Sequence, residues 1–184
     1  CFFWLAACCL TGPTGQQALG QDVYVTEMGH AEFVSKAPLQ TFKGVSDKLN
    51  GYIDLDSGLV DFYLDLNTLD TGVGLRDRHM RNNYLETKKF PYAEFTGNLA
   101  EIPELGENPL PVRAVGVFTL HGVAREIEVS GTLAKVKGAL RLNASWAVLL
   151  GDYGIPIPKV VFYELADEQQ VNISAVLEAK QNEP

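Results

Sequence analysis

The stretch Leu75-Arg76-Asp77-Arg78-His79-Met80-Arg81-Asn82-Asn83-Tyr84-Leu85-Glu86-Thr87-Lys88-Lys89-Phe90-Pro91-Tyr92-Ala93-Glu94-Phe95 breaks the pattern of the chain on either side of it. Around it, apolar and polar residues alternate in strand fashion; inside it, a polar, arginine-rich helix is predicted between two strands. Asp77 lies four residues before Arg81, the favourable order for an acid and a base that face each other on a helix. Asn83 followed by Glu86 reads as a capping-box-like restart of a second short turn. Pro91 forces Phe90 into an extended conformation and ends the helix. From there Ala93, Phe95, Gly97 and Leu99 alternate with Glu94, Thr96 and Asn98, as in a strand with one buried face.

Upstream, Val23 to Ser35 is spaced as a strand with a bend at Met28-Gly29-His30. Pro38 and Gly44 break the next segment, and Asn50-Gly51 is expected to form a tight turn or bulge. Tyr52 to Leu55 and Leu59 to Leu66 flank the short connection Asp56-Ser57-Gly58. Phe62, Leu64 and Leu66 share one face of the second arm, and Asp61, Tyr63 and Asp65 the other. Downstream, Ile102 to Val112 carries Pro103, Gly106, Pro109 and Pro111 and is expected to be a long surface loop within one domain. Val115 to Leu120 and Glu126 to Leu133 flank His121-Gly122, a second hairpin, and Gly138 marks a further turn. Ala144, Trp146, Val148 and Leu150 form another alternating face; Val171, Ile173, Ala175, Leu177 and Ala179 form the last.

About eight strands joined by hairpins, with one helical insertion near 75–88, predict a mainly β, antiparallel meander that closes on itself to remove its edges. Patterning alone leaves a β-sandwich as the alternative. A closed barrel of this size is just wide enough for side-chain filling or for one slender ligand. The small residues Ala93, Gly97, Gly131, Ala144, Ala175 and Ala179 fall on the apolar faces. They would leave room inside, or would sit where a packed barrel tapers.

The chain has 184 residues, enough for one domain with a sizeable core or an enclosed cavity. Charged residues make up 21% and hydrophobic residues 46%, ordinary globular values. A net charge of -8 and a pI near 4.8 argue against nucleic acid and against an anionic membrane surface as partners. Cys1, Cys8 and Cys9 all lie in the first ten residues, so residues 21–184 need no disulfide and cannot use cysteine catalysis. Residues 1–20 read as an export leader: Phe2 to Leu10 is too short to span a bilayer and precedes Gly12 and Pro13. No Met or basic region precedes this run, so the leader is expected to be truncated at its start. Ala18 and Gly20 would suit cleavage before Gln21, whereas Leu5-Ala6-Ala7-Cys8 looks like a lipobox whose acylated Cys8 would tether the protein to a membrane. Either way the expected location is periplasmic or secreted.

The sequence carries few groups arranged for chemistry. His30, His79 and His121 are too scattered for a metal signature, and no H-E-x-x-H or paired Cys motif occurs. His121 at a hairpin turn reads as structural, and His79 as capping or lining a barrel mouth. Gly72-Val73-Gly74 follows a strand, but Asp77 replaces the third glycine of a dinucleotide fingerprint and would repel a pyrophosphate. There is no G-x-S-x-G or S-x-x-K. Asp54, Asp56, Asp61 and Asp65 fall on the outward phase of their strands and read as a solvated face. Arg76, Arg78, His79 and Arg81 are the one concentration of positive charge. We read them as an ion-paired helix with Asp77 and Glu86 as partners; a mouth for a phosphorylated head group is the competing reading.

The stretch quoted above resembles the signature segment of the YceI-like family of bacterial lipid-binding proteins. So do Thr41-Phe42-Lys43-Gly44, Leu69-Asp70-Thr71-Gly72, Phe118-Thr119-Leu120-His121-Gly122-Val123 and Asp152-Tyr153-Gly154-Ile155, in the family's order, over roughly residues 22 to 180. The resemblance implies a lipocalin-like barrel holding a long apolar chain, such as a polyisoprenoid, an isoprenoid quinone or a fatty acyl or amide chain.

Strand phase then nominates Phe33, Phe42, Phe62, Leu64, Leu66, Phe95, Trp146, Val148, Ile173 and Leu177 for the wall. It places Arg76, Asp77, His79, Met80, Arg81 and Tyr84 at the mouth and its helix. No cofactor, metal or catalytic residue is expected; a homodimer is left open. Burying about ten methylenes would yield roughly 8 kcal/mol gross, about micromolar before ordering costs. An exposed ion pair adds only about 0 to 1 kcal/mol, so chain length should govern affinity. Two other classes stay open: an envelope interaction module with a packed barrel, and an enzyme on an isoprenoid or quinone using His79 or Tyr84.

Overall fold

Eight antiparallel strands run in sequence order around one closed barrel in the computed structural model, which describes residues 22–37, 40–157 and 165–180. They are β1 (Val23–Lys36), β2 (Thr41–Asp54), β3 (Leu59–Asp65), β4 (Tyr92–Leu99), β5 (Leu110–Leu120), β6 (Val123–Val136), β7 (Ala139–Leu149) and β8 (Glu168–Ala179). Each strand pairs with its successor, and β8 returns to pair with β1, so among the described residues no strand is left at the edge of the sheet. The sandwich alternative is thereby set aside. The bend expected at Met28-Gly29-His30 is a double register shift in β1, between Thr26 and Gly29 and between Gly29 and Ala31. Residues 1–20, the expected leader with Cys8, lie outside the described residues.

Up-and-down order gives the barrel two unlike ends. One carries the β1–β2, β3–β4, β5–β6 and β7–β8 connections, including the helical insert; the other carries the remaining connections and both ends of the domain. There the Lys180 amide donates to the Val23 carbonyl at 2.8 Å. Two tight turns follow directly from sequence. His121 and Gly122 (φ 52° and 74°) and Lys137 and Gly138 (φ 52° and 86°) each place two successive residues in the left-handed region, as a hairpin twisted with its strands requires.

Two local expectations are corrected. Asn50-Gly51 makes no turn and lies within β2, because the Phe62 ring of β3 occupies the place a Gly51 side chain would take. Glycine is required there by a neighbour's ring, not by a bend. Pro111 lies in β5, not in the preceding loop. Residues 110–113 pair only with β6, since β4 pairing begins at Ala114, so the missing proline N–H costs no ladder bond.

The interior divides into two halves. At the domain-termini end it is solid: Tyr24 and Ile53 are 2% and 1% exposed, and Leu133, Leu140 and Leu177 are 0% exposed. Above this plug is a waist of small residues. Gly97 of β4 and Gly116 of β5 lie directly opposite, and a Cβ on either would run into the other strand's backbone. A Cβ on Gly29 would meet Ala175 at 3.1 Å and Leu49 at 3.2 Å. Here the small residues let neighbouring strands and their side chains pack closely instead of hollowing the barrel. Of the six named from sequence, Ala93 alone borders the cavity described next.

Candidate functional site

Above the waist the barrel holds a cavity of about 500 Å³, open to solvent at the end that carries the helical insert. Phe33, Phe42, Phe62, Leu64, Leu66, Phe95, Trp146, Val148 and Ile173 all border it. Leu177 does not, and its assignment to the wall is corrected. It points inward as its phase requires, but it lies below Ile173 and Ala175 on β8 and is fully enclosed in the plug, opposite Leu140. Aromatic rings give the wall its form. Phe33 lies where a Gly44 side chain would be and meets Phe42 edge-on at 6.0 Å; Phe118 meets Trp146 edge-on at 5.7 Å. Leu49, Phe118 and Val171 border the cavity in addition to the residues named from strand phase. Phase could have found Val171, which shares the inward face of Ile173. Ile155 and Leu165, from the β7–β8 connection, carry no periodic signal at all.

Gln169 and Trp146 bring the only buried polar atoms of the wall that lack a partner among the described residues: Gln169 Oε1 and Trp146 Nε1. The amide orientation is fixed locally, because Gln169 Nε2 donates to the Ala166 carbonyl and to Ser35 Oγ. Apart from Glu32, whose carboxylate is held by Lys43, the rest of the wall is apolar, and polarity is concentrated at the mouth.

The mouth is built on the insert between β3 and β4. Asp65 caps a 3₁₀ turn by accepting from the Asn67 amide, and Val45 and Asp70 exchange backbone hydrogen bonds at 2.9 Å. Helix α1 (Gly74–His79) follows and widens into a π-helical turn over Met80–Tyr84, closed by the Leu85 amide donating to the Met80 carbonyl at 2.8 Å. Arg76, His79, Met80 and Tyr84 border the cavity. The Arg76 guanidinium lies 4.5 Å from the centre of the Phe42 ring, an arrangement that favours a cation over an aromatic face.

Asp77 and Arg81 lie on the other side of the insert and do not border the cavity. Asp77, 7% exposed, accepts hydrogen bonds from the Thr71 amide (2.9 Å) and hydroxyl (2.6 Å). Arg81 donates to the Leu69 carbonyl at 2.7 Å. The expected ion-paired helix is therefore corrected: Asp77 is spent on Thr71, and Glu86 reaches Lys89 at 2.7 Å and His121 at 3.1 Å instead of an arginine. Glu86 itself is left-handed (φ 45°), so the expected capping-box restart is a backbone turn in which the Lys89 amide donates to the Glu86 carbonyl.

Burial alone would push the Asp77 carboxyl up, but the Thr71 hydroxyl and amide, with the nearby Arg81 charge, outweigh it and hold the group below the usual carboxylate range. A carboxyl whose folded value is depressed adds stability that is fully present above its unfolded value of about 4 and is lost as pH falls through the folded value. Asp77→Asn should therefore cost about 1–2 kcal/mol at pH 7. The gap from the parent should shrink below about pH 4. Urea unfolding across pH checks this; a gap constant with pH would mean the charge of Asp77 does not matter.

The model of the YceI-like domain matches residues 24–179. The chain belongs to the YceI-like family. Solved structures share the fold of this YceI-like chain at low identity. A polyisoprenoid binding domain from Saccharophagus degradans implicated in plant cell wall breakdown is 18% identical, with TM-score 0.72 over 87% of this chain and 99% of that one. BcnA of Burkholderia cenocepacia is 18% identical, with TM-score 0.68 over 82% and 96%. The Campylobacter jejuni YceI protein is 17% identical, with TM-score 0.63 over 79% and 90%. A search of the curated proteins finds no match.

One further cluster braces the mouth of this YceI-like barrel. His121 Nδ1 lies 3.1 Å from the Tyr153 carbonyl and Nε2 3.1 Å from Glu86, while Phe90 packs on the ring at 4.8 Å. The β5–β6 turn, the insert and the turn after β7 are thus joined through one side chain. Lys89 first, then His121, hold the Glu86 carboxyl below the usual range. His121 accordingly serves the frame, as its place at a hairpin suggests.

Proposed function

We propose that this YceI-like protein is exported to the cell envelope, where it holds one long apolar chain of prenyl or acyl type in its barrel and carries, stores or senses it without chemistry. The observation that carries this reading is the cavity of about 500 Å³, walled by aromatic and aliphatic side chains and open at one end. Its volume falls in the range of sites that bury most of a small ligand. The polyisoprenoid binding domain that shares the fold supports a prenyl chain as the first candidate. Polar groups gather where a head group would emerge, at Gln40, Arg76, His79 and Asn83. Arg76 on its Phe42 platform would tune the choice of head group, and the apolar wall would supply most of the affinity.

The test is to express residues 21–184 in a bacterial periplasm, record native mass spectra, and extract and identify whatever is released. A discrete added mass that extracts as a prenyl or acyl chain supports the proposal and names the cargo class. A bare polypeptide that also refuses added isoprenoids and fatty amides would defeat it and turn attention to protein partners.

A further inference from the structure

We infer that the waist, and not the length of the barrel, sets how much of an apolar chain this protein encloses: the tail stops against Leu49, Phe62 and Ile173 after about fifteen carbons. The inference rests on the binding reading above and adds to it a limit on chain length.

A chain carbon fills about the volume of one water in the liquid, ~30 Å³, so a cavity of about 500 Å³ takes roughly fifteen to seventeen. The strands are long enough for far more. At about 3.3 Å per residue the fourteen residues of β1 span about 46 Å, yet the cavity reaches down that strand only as far as Ala31. Below that level side chains fill the interior. Leu49 and Ala175 pack over Gly29, and the Phe62 ring lies on Gly51. Beneath them Leu133, Leu140 and Leu177 admit no solvent. Carbons beyond the fifteenth must leave by the mouth, past Val73 and Leu75, which are themselves 44% and 51% exposed. Such carbons stay largely in water and add little.

The prediction is a break in a series. Primary alcohols of increasing length are titrated into the intact exported protein, with the fluorescence of Trp146 on the cavity wall as the signal. Affinity should rise about fourfold per methylene up to about fifteen carbons and then flatten. Leu49→Ala, which deepens the floor, should move the break up by about three carbons, and Ala31→Leu, which raises it, should move it down by about three, the number of carbons removed or added. An undiminished slope out to about thirty carbons would overturn the inference, as would a break that stays in place in both variants. If either variant fails to fold, the series on the parent protein still decides. Failure to bind at any length is a different result: it would defeat the proposed function itself.

Discussion

A Phe95→Glu protein is expected to fold and to take up no apolar chain. Phe95 sits mid-way along β4, paired with Phe62 on one side and Phe118 on the other, and all three border the cavity. Glutamate there puts a carboxyl on the wall at the level any tail must pass. Enclosing a chain would then strip water from that group, which costs several kcal/mol if charged and raises its pKa if not. A loss of about 3 kcal/mol or more is at least a hundredfold in affinity. The barrel should survive, because the plug below the waist is untouched and water can reach the new side chain from the mouth. Far-UV circular dichroism should keep its strand signature while uptake of a C15 prenol, about the cavity's capacity, disappears. Phe95→Leu, which keeps an apolar surface, should bind within about tenfold of the parent. Unchanged uptake by the glutamate variant would remove Phe95 from the wall.

Leu177→Ala should do the opposite, costing stability and leaving uptake in place. Leu177 is 0% exposed and faces Leu140, also 0% exposed, across the β7–β8 pair. Truncation there opens a hole that close-packed neighbours cannot fill, at about 2–5 kcal/mol. For a domain of this size the unfolding midpoint should fall by roughly 5–15 °C. Ile173→Ala, four residues nearer the mouth on the same inward face, should cost distinctly less, because its side chain borders a space that already exists. Thermal unfolding of the two variants without ligand makes the comparison. Equal losses would mean that the interior is not divided into a packed half and a hollow one.

The wall shows why period two carries some information and not the rest. Alternation told which side of β7 and β8 faces inward, since each residue flips sides, and so Trp146, Val148 and Ile173 were legible. It cannot tell how far along the barrel a cavity ends. That is set by which inward side chains meet and fill the interior, as Leu49 and Ala175 do over Gly29, which is why Leu177 was placed in the wall. Turn chemistry was legible at His121-Gly122, where two left-handed residues are needed, and misleading at Asn50-Gly51, where a ring on the next strand needs the glycine. In the insert, helical spacing correctly put Asp77 and Arg81 near each other. No local rule pointed to Thr71, because the chain doubles back between β3 and α1 to present that hydroxyl and amide to Asp77.

The meeting of Val23 and Lys180 beneath the plug gives the molecule a fixed polarity. Strands of up to fourteen residues, tilted as barrel strands are, make a body about 35 Å tall. Anything joined ahead of Val23 therefore leaves from the sealed base. On such a leash the base would face the surface to which it is moored, and the opening would point outward, about 35 Å away. A moored copy would be shaped to trade with whatever stands opposite it; to draw cargo from its own anchoring bilayer it would first have to turn over.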